Sequence, residues 1–223
     1  MFIEQPARFL RWIYPHAIWR MDPSAKAIYL TFDDGPIPEA TPFVLDTLAR
    51  YGIKATFFMV GDNVRKHPDV FRQVAEAGHR IGNHTFNHIG GLRWLSKNYI
   101  ANTQKANLLM SDELQRMADE HPGTLYHPQP LSLFRPPHGW MRTLQYLAIR
   151  RQGYHIVMWD LVTRDYSRRL TADEVFENVK RYARNGSIVT FHDSLRSIEK
   201  LKKILAPSLE WLIAEGYEFR VFD

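Results

Sequence analysis

The sequence predicts a single α/β domain, a barrel built around a parallel sheet. The chain has 223 residues, a length that suits one domain of alternating architecture. Apolar runs of strand length alternate along it with segments of helical pattern, as they do in parallel sheets. The G-x-G-x-x-G fingerprint of dinucleotide-binding folds is absent, which favours a barrel over an open doubly wound sheet.

Seven apolar or β-branched runs are predicted as strands. The first reads Ala-Ile-Tyr-Leu-Thr-Phe and the second Ala-Thr-Phe-Phe-Met-Val, so both are apolar enough to be buried on both faces. The predicted strands lie at 27–32, 55–60, 79–82, 131–134, 154–159, 187–191 and 217–222.

Six helices are predicted between these strands. The second begins with Pro68 and is followed by Gly78, and the fifth carries a capping-box pattern in Thr171 and Glu174. The last contains Pro207. The predicted helices lie at 41–51, 68–77, 95–118, 143–152, 171–184 and 196–214.

Residues 1–26 are predicted to form an N-terminal segment that covers an open end of the core, and residues 27–223 the barrel. The segment is rich in Trp and Arg, so contact with a membrane interface is the alternative. Glu4, Arg8 and Arg11 interrupt any signal-peptide core, and no apolar run reaches the roughly 20 residues of a membrane span. We therefore expect a cytoplasmic protein or one peripheral to a membrane.

The absence of cysteine excludes disulfides, thiolate nucleophiles and Cys-based zinc sites. The net charge is +5, but Lys and Arg are spread along the chain without a basic block interleaved with aromatics. Nucleic acid is therefore not an expected partner.

Ionisable residues follow the predicted strands. Because function collects at the C-terminal ends of barrel strands, these residues are expected to meet at one face. They are Asp33 and Asp34 after the first strand, His84 and His88 after the third, Arg135 and His138 after the fourth, Asp160 and Asp165 after the fifth, and His192 and Asp193 after the sixth.

His84 and His88 are spaced i, i+4, so they can share one cation. Catalytic zinc commonly takes two His and one carboxylate and keeps a position open for water. Asp33 and Asp34 would repel each other as a pair, unless one binds a metal and the other takes a proton from water. A cation together with Arg135 would keep both of them ionised.

His192 directly follows an apolar strand. It is either a buried core residue whose ring nitrogens are hydrogen-bonded or a functional residue. A metal site on the opposite lip favours a general acid, because a departing amine needs a proton and imidazole titrates in the right range.

These residues resemble those of the polysaccharide deacetylase family, carbohydrate esterase family 4, over about 27–222. The stretch 31–36 is similar to the family's first motif, and the resemblance implies that Asp33 is the general base and Asp34 a metal ligand. His84 and His88 resemble the two metal-binding histidines of the second motif. The family fold is a distorted (β/α)7 barrel, in agreement with the count of strands.

The run that starts at Arg135 resembles the family's third motif, and the resemblance implies that this arginine orients the general base, Asp33. Asp165 matches the aspartate that positions the catalytic histidine, and His192 falls where the family has its general acid.

Three positions depart from the family pattern. His138 replaces an aromatic residue whose backbone N–H helps to bind the oxyanion, and Tyr166 replaces a Trp. Thr190 replaces a leucine that lines the acetyl pocket, so its hydroxyl must be hydrogen-bonded to avoid a cost in packing. Trp159 is expected to line the sugar site.

The resemblance implies a hydrolase that removes N-acetyl groups from an amino-sugar glycan and depends on one divalent metal ion. The expected ion is Zn²⁺, and Co²⁺, Ni²⁺ and Mn²⁺ are the alternatives. Other readings are a deacylase or deformylase of a lipid-linked amino sugar, an O-acetyl esterase, and a non-catalytic carbohydrate-binding barrel. The loop 120–130 is expected to help select the sugar.

Overall fold

The computed structural model describes residues 4–7, 9–120 and 131–222. All ladders between strands in this part of the chain are parallel. The strands are β1 (Ala27–Asp33), β2 (Thr56–Met59), β3 (Arg80–Asn83), β4 (Leu133–Phe134), β5 (His155–Ile156), β6 (Leu161–Val162), β7 (Ser187–His192) and β8 (Glu218–Phe219). The helices are α1 (Leu10–Ile13), α2 (Thr41–Arg50), α3 (Gly61–Lys66), α4 (Pro68–Glu76), α5 (Ser96–Glu120), α6 (Thr143–Arg151), α7 (Ala172–Tyr182) and α8 (Ile198–Ala214), with 3₁₀ turns at Gly91–Arg93 and Pro137–Gly139.

The sheet curls into a partly open barrel with strand order β5-β4-β3-β2-β1-β7-β6, and β8 is added beside β1. Among the described residues, no ladder joins the two edge strands β5 and β6. The predicted single-domain α/β barrel with a parallel sheet is confirmed. Its distortion lies in this opening.

Side chains of β1 alternate between two buried environments. Ile28, Leu30 and Phe32 pack outward in the main core with α2, α4, α7 and α8, and Phe32 stacks on Phe57. Tyr29 points the opposite way into a smaller cluster, as expected for the period of two along a strand. Positions 31 and 33 of β1, and 190 and 192 of β7, therefore belong to the inner face.

The predicted fifth strand, 154–159, was too long, and β6 was not predicted. The N–H of Val157 still donates to Phe134, and Val157 forms an isolated parallel bridge with Ile18, while the carbonyls of Val157 and Met158 accept hydrogen bonds from the Arg135 side chain. The chain thus crosses the barrel opening and resumes pairing at Leu161. Helix α3 was also missed, because its sequence is short and lacks an apolar repeat.

The N-terminal segment bonds to both sides of this opening. The N–H of Ile18 donates to Ile156 and its carbonyl accepts from Met158, both at 2.8 Å, while the carbonyl of Glu4 accepts from the N–H of Val162 at 2.8 Å. Tyr14 and Trp19 are the buried aromatic side chains of this segment.

The remaining predicted elements differ from the observed ones mainly at their ends. The Thr171–Glu174 capping box is formed, and Pro207 lies inside α8 as predicted. The predicted strand 217–222 is only two residues long in the structure. Residues 121–130 of the predicted substrate loop lie outside the described residues. In the described part of the chain, every helix is too short or too polar to cross a bilayer.

Candidate active site

The site lies where β1 and β7 end side by side. Thr31 pairs with Thr190 and Asp33 with His192 in the parallel register, so two inward-facing columns of side chains run up to the same edge. Asp33 is the last residue of β1 and is almost fully buried. The carboxyl end of the sheet thus carries a carboxylate next to an imidazole.

Asp34, His84 and His88 converge next to Asp33. Oδ1 of Asp34 lies 3.1 Å from Nε2 of His88 and 3.7 Å from Nε2 of His84. The three ligand atoms all lie within 4.8 Å of one another. Donor atoms around a tetrahedral zinc would stand roughly 3.3 Å apart, given bonds of about 2.0–2.1 Å. Two imidazoles and a carboxylate at this spacing fit a divalent cation.

His84 is held in the form that a metal ligand needs. Its Nδ1 lies 2.7 Å from the carbonyl oxygen of Arg135, and because a carbonyl only accepts, Nδ1 carries the proton. Nε2 is left with its lone pair toward Asp34. Burial lowers the pKa of His84 to about 4, so the ring is neutral at neutral pH. A backbone partner of this kind orients many metal-binding histidines.

The backbone at the site is bent to bring the ligands together. Asp34, His88 and His138 have φ values of +82°, +52° and +61°, a region in which non-glycine residues cost about 1 kcal/mol or more. The side-chain amide of Asn63 donates to the carbonyl of Asp34 at 2.7 Å. Burial by itself would raise the pKa of Asp34. The hydrogen bond from His88 and nearby positive charge outweigh burial and hold this pKa well below its usual range.

Arg135 is fully buried inside the barrel beneath the site. Its guanidinium donates to Oδ1 of Asp33 at 2.7 Å, to Oγ1 of Thr31 at 2.8 Å, and to the carbonyls of Val157 and Met158 at 3.2 and 2.7 Å. The guanidinium also stacks over the ring of Phe58 at 4.2 Å. A buried cation with this many partners has one orientation, so it fixes the carboxylate of Asp33.

His192 stands on the other side of Asp33 and is paired with Asp165. The Asp165 carboxylate accepts from Nδ1 of His192 at 2.8 Å and from the backbone N–H of the same residue at 2.7 Å. Burial alone would lower the pKa of His192, but the charge of Asp165 and its hydrogen bond raise it to about 9. Nε2 is thus the atom of this charged imidazole that is left for a substrate.

The four other predicted site residues surround these groups. The His138 ring meets that of His88 edge-on at 4.9 Å, and Tyr166 meets His192 edge-on at 4.7 Å. Trp159 packs against Gly139, the residue after His138. The hydroxyl of Thr190 lies 3.0 Å from Oγ1 of Thr31, so it has the hydrogen-bond partner that its buried position requires.

One residue near the site was counted among the strand ends but was given no role from the sequence. Asp193 is fully buried, and its carboxylate accepts from the N–H of Gly35 at 3.1 Å and from the hydroxyl of Thr41 at 2.6 Å. Burial raises the pKa of Asp193 to about 8. It braces the turn that carries Asp34. Its place next to His192 at a strand end was the available signal, but the chain gives no hint that it would reach Gly35.

Asp160 was grouped with the strand exits but lies elsewhere. Its buried carboxylate accepts from Ser187 and Arg184, both at 2.8 Å, and pairs with Arg11. Ser187 begins β7, at the opposite end from His192. A buried carboxylate needs cationic or hydrogen-bonding partners, and Asp160 finds them there.

A parallel barrel with two histidines and two aspartates at its carboxyl edge, beside a His–Asp pair, defines a class of metal-binding hydrolase sites. The profile of the polysaccharide deacetylase family matches residues 20–157. The chain belongs to this family, and the resemblance inferred from its motifs is confirmed.

Three similar proteins illustrate the relationship. A peptidoglycan-N-acetylglucosamine deacetylase of Bacillus cereus is 33% identical over 92% of this chain and 90% of its own length. A solved peptidoglycan N-acetylglucosamine deacetylase superposes with a TM-score of 0.80 at 27% identity, covering 95% of this chain and 94% of that one. A carbohydrate esterase family 4 pseudoenzyme of Bacillus anthracis shares the fold, with a TM-score of 0.79 at 24% identity over 92% of this chain and 66% of that one.

Proposed function

We propose that this protein is a metal-dependent hydrolase that removes N-acetyl groups from the amino sugars of a glycan. One observation carries the proposal. The candidate metal ligands Asp34, His84 and His88 stand together, with a braced carboxylate, Asp33, and a charged imidazole, His192, beside them. Amide hydrolysis needs a base to activate water and an acid to protonate the leaving amine.

The cation proposed for Asp34, His84 and His88 is Zn²⁺, with Co²⁺, Ni²⁺ or Mn²⁺ as alternatives. Two histidines and one carboxylate are a common catalytic zinc set, and the spacing of the donor atoms suits it. When bound, such an ion would polarise the acyl oxygen and acidify water. His84 contributes a neutral ring with its free lone pair already aimed at the site.

Asp33 is the proposed general base. Its Oδ1 is occupied by the guanidinium of Arg135, which leaves the rest of the carboxylate to accept a proton from the attacking water. Arg135 is a positioning residue: it pairs with Asp33 and fixes it in a buried place where an unpaired carboxylate would be costly.

His192 is the proposed general acid, and Asp165 positions it. The pKa of about 9 keeps the imidazole protonated at neutral pH, so it can give its Nε2 proton to the departing amine. The same arrangement would serve an O-acetyl ester, whose alkoxide also needs a proton.

The backbone N–H of His138 is the proposed oxyanion donor. Within the described residues, no hydrogen bond occupies this N–H, and it lies on a turn beside the metal ligand His88. One donor of this kind is typically worth about 3–4 kcal/mol of transition-state stabilisation. Trp159 and Tyr166 are proposed to line the sugar, and Thr190 to lie below the acyl group.

The proposed substrate is a glycan that contains N-acetylglucosamine, because the Bacillus cereus relative is named for peptidoglycan N-acetylglucosamine. Chitooligosaccharides are soluble probes of the same chemistry. Acetate release measured with and without chelator, followed by metal re-addition, tests the reaction itself. An N-formyl or lipid-linked amino sugar that is cleaved when chitooligosaccharides are not would favour the lipid-linked alternative.

Two variants separate the proposed base from the proposed ligands. Asp33→Asn should abolish acetate release and retain stoichiometric metal, whereas His84→Ala should lose both. Near-normal turnover by Asp33→Asn would show that another group is the base. A metal-free wild-type protein that binds glycan without turnover would support the non-catalytic barrel instead.

A further inference from the structure

Positive charge is unevenly distributed over the chain. Three stretches, residues 5–21, 89–111 and 131–159, contain ten Lys and Arg and no Asp or Glu, although the whole protein has a net charge of only +5. The rest of the chain is therefore net acidic. One of the ten, Arg135, is fully buried and paired with Asp33, so it belongs to the site and not to the surface. Segregation of the remaining positive charge is typical of a surface that meets an anionic partner.

The three stretches come together in the fold. The hydroxyl of Tyr14 bonds to both the N–H and the carbonyl of Met141, each at 2.7 Å. The N–H of Gly91 donates to the carbonyl of Trp140 at 3.2 Å. Arg142 donates to the carbonyl of Leu92 at 3.0 Å. Helix α1, the turn 91–95 and the start of α6 are thus one continuous region.

This region also holds most of the exposed apolar surface. Of the twelve large hydrophobic side chains that are exposed in the described residues, ten lie in the three stretches. Trp12, Leu144 and Leu95 are 82%, 71% and 68% exposed. Nine of the ten form what we call the apolar face: Phe9, Trp12, Ile13, Leu92, Trp94, Leu95, Trp140, Leu144 and Leu147.

Basic side chains are interspersed with the apolar ones. Lys97 is exposed two residues beyond Leu95. On α6, Leu144, Leu147 and Arg151 are exposed and follow one another three and four residues apart, so they share one side of the helix. Trp and Leu next to Lys and Arg, without acidic residues, is the composition of surfaces that sit at the boundary between lipid headgroups and acyl chains.

We propose that the apolar face docks on the surface of an anionic lipid bilayer. A second copy of the chain would place like charges opposite each other, and a nucleic acid would leave the exposed leucines in water. The face adjoins the site, because Trp140 follows the turn that holds His138. Docking would thus hold the active site close to the bilayer. The proposal concerns binding alone and stands without the proposed function.

Co-sedimentation of the full-length protein with vesicles tests this proposal. We expect the protein to bind vesicles of phosphatidylcholine with 30% phosphatidylglycerol, a composition roughly like that of an anionic leaflet. It should bind pure phosphatidylcholine vesicles only a little, and high salt should reduce its binding to the anionic vesicles. Trp12→Ser combined with Leu95→Ser and Leu144→Ser should abolish it. Lys97→Gln with Arg151→Gln should weaken it roughly 25-fold, since each basic residue near the surface adds about fivefold.

Matched controls lie outside the face. Leu195→Ser with Ile213→Ser removes two of the three exposed hydrophobic side chains outside the face, and Lys202→Gln with Lys203→Gln removes two exposed charges from α8. Both control variants should bind vesicles like wild type. Failure of wild type to bind anionic vesicles would overturn the proposal, as would equal loss in face and control variants. Sedimentation of wild type as a dimer that the triple variant dissociates would instead assign the face to a second copy.

Discussion

The substitution Asp165→Asn tests the proposed acid most directly, because it removes one charge and changes almost no volume. Asp165 is fully buried, and both of its carboxylate oxygens accept hydrogen bonds from His192. Asparagine has only one acceptor oxygen, so its NH₂ group must face one of those two donors. With the amide oxygen toward Nδ1 the imidazole keeps only a neutral acceptor, and with the NH₂ group toward Nδ1 that nitrogen must itself accept. In both cases the negative charge that supports the charged imidazole is gone.

The size of the effect follows from the pKa of His192. Burial opposes the charged form, and Asp165 raises the pKa to about 9 against it. If the pKa returns to an ordinary 6.5, the protonated fraction at pH 8 falls roughly thirtyfold. Loss of orientation adds to this, so we expect kcat to fall by roughly 10²–10⁴, the range that general acids contribute.

The assay is acetate release from chitooligosaccharides between pH 6 and 10. Wild-type kcat should decline as the pH rises through about 9, and the remaining activity of the variant should decline at lower pH. Metal content should stay unchanged. The control is Asp46→Asn, an exposed carboxyl group on α2. A kcat within threefold of wild type at pH 8, or an unmoved alkaline limb, would refute the role given to this pair.

The same ion pair makes a prediction about the stability of metal-free protein. Because the folded-state pKa of His192 is raised, its contribution is complete below pH 6.5 and is lost as the pH rises through about 9. The contribution is on the order of 3 kcal/mol in the free energy of unfolding. Urea titrations at pH 6 and pH 9.5 should show this loss in wild type and not in Asp165→Asn. Equal pH dependence in both proteins would contradict the assignment.

Two further substitutions test the supports of the site. Asp193→Ala leaves the N–H of Gly35 without its acceptor, so we expect the free energy of unfolding to fall by roughly 1–3 kcal/mol. Metal binding, measured by competition with a chelator, should weaken roughly 10–100-fold. Asp193→Asn should stay close to wild type, and unchanged metal affinity in both variants would remove Asp193 from the site. Gly139→Ala would place a Cβ 2.4 Å from Cη2 of Trp159, so it should lower both kcat and the melting temperature. The control is Gly153→Ala, at a glycine that has the same left-handed backbone but no atom within 4 Å of the added Cβ, and its effects should be far smaller. Equal effects of the two substitutions would mean that the contact with Trp159 does not matter.

Much of the fold could be predicted because it depends on local patterns. Buried strands such as β1 are continuous apolar runs, and helices such as α7 carry their own start signal in Thr171 and Glu174. The prediction was wrong where long-range bonds decide the backbone path. Residues 157–159 were predicted as strand, yet the Arg135 side chain donates to two of their carbonyls and pairing with β7 begins only at Leu161.

Candidate site residues could be proposed from chemistry at the strand ends, since parallel strands bring their carboxyl ends to one edge. This rule placed Asp33 and His192 next to each other. It misplaced Asp160, because a strand end identified from sequence does not say which way the following side chain turns. Asp193 was grouped with the strand ends but given no role for the same reason.

The amino-acid sequence by itself determined that the chain forms a parallel α/β barrel of the polysaccharide deacetylase family, because strand period, helix caps and motif residues are all local properties of the chain. Only the tertiary structure decided that the nitrogen and oxygen atoms of Asp34, His84 and His88 meet within 4.8 Å. It also brought exposed basic residues such as Lys97 and Arg151 next to one apolar face that is built from three separate stretches. Both results depend on distances between residues far apart in the chain, and burial and backbone hydrogen bonds set those distances only once the barrel has formed.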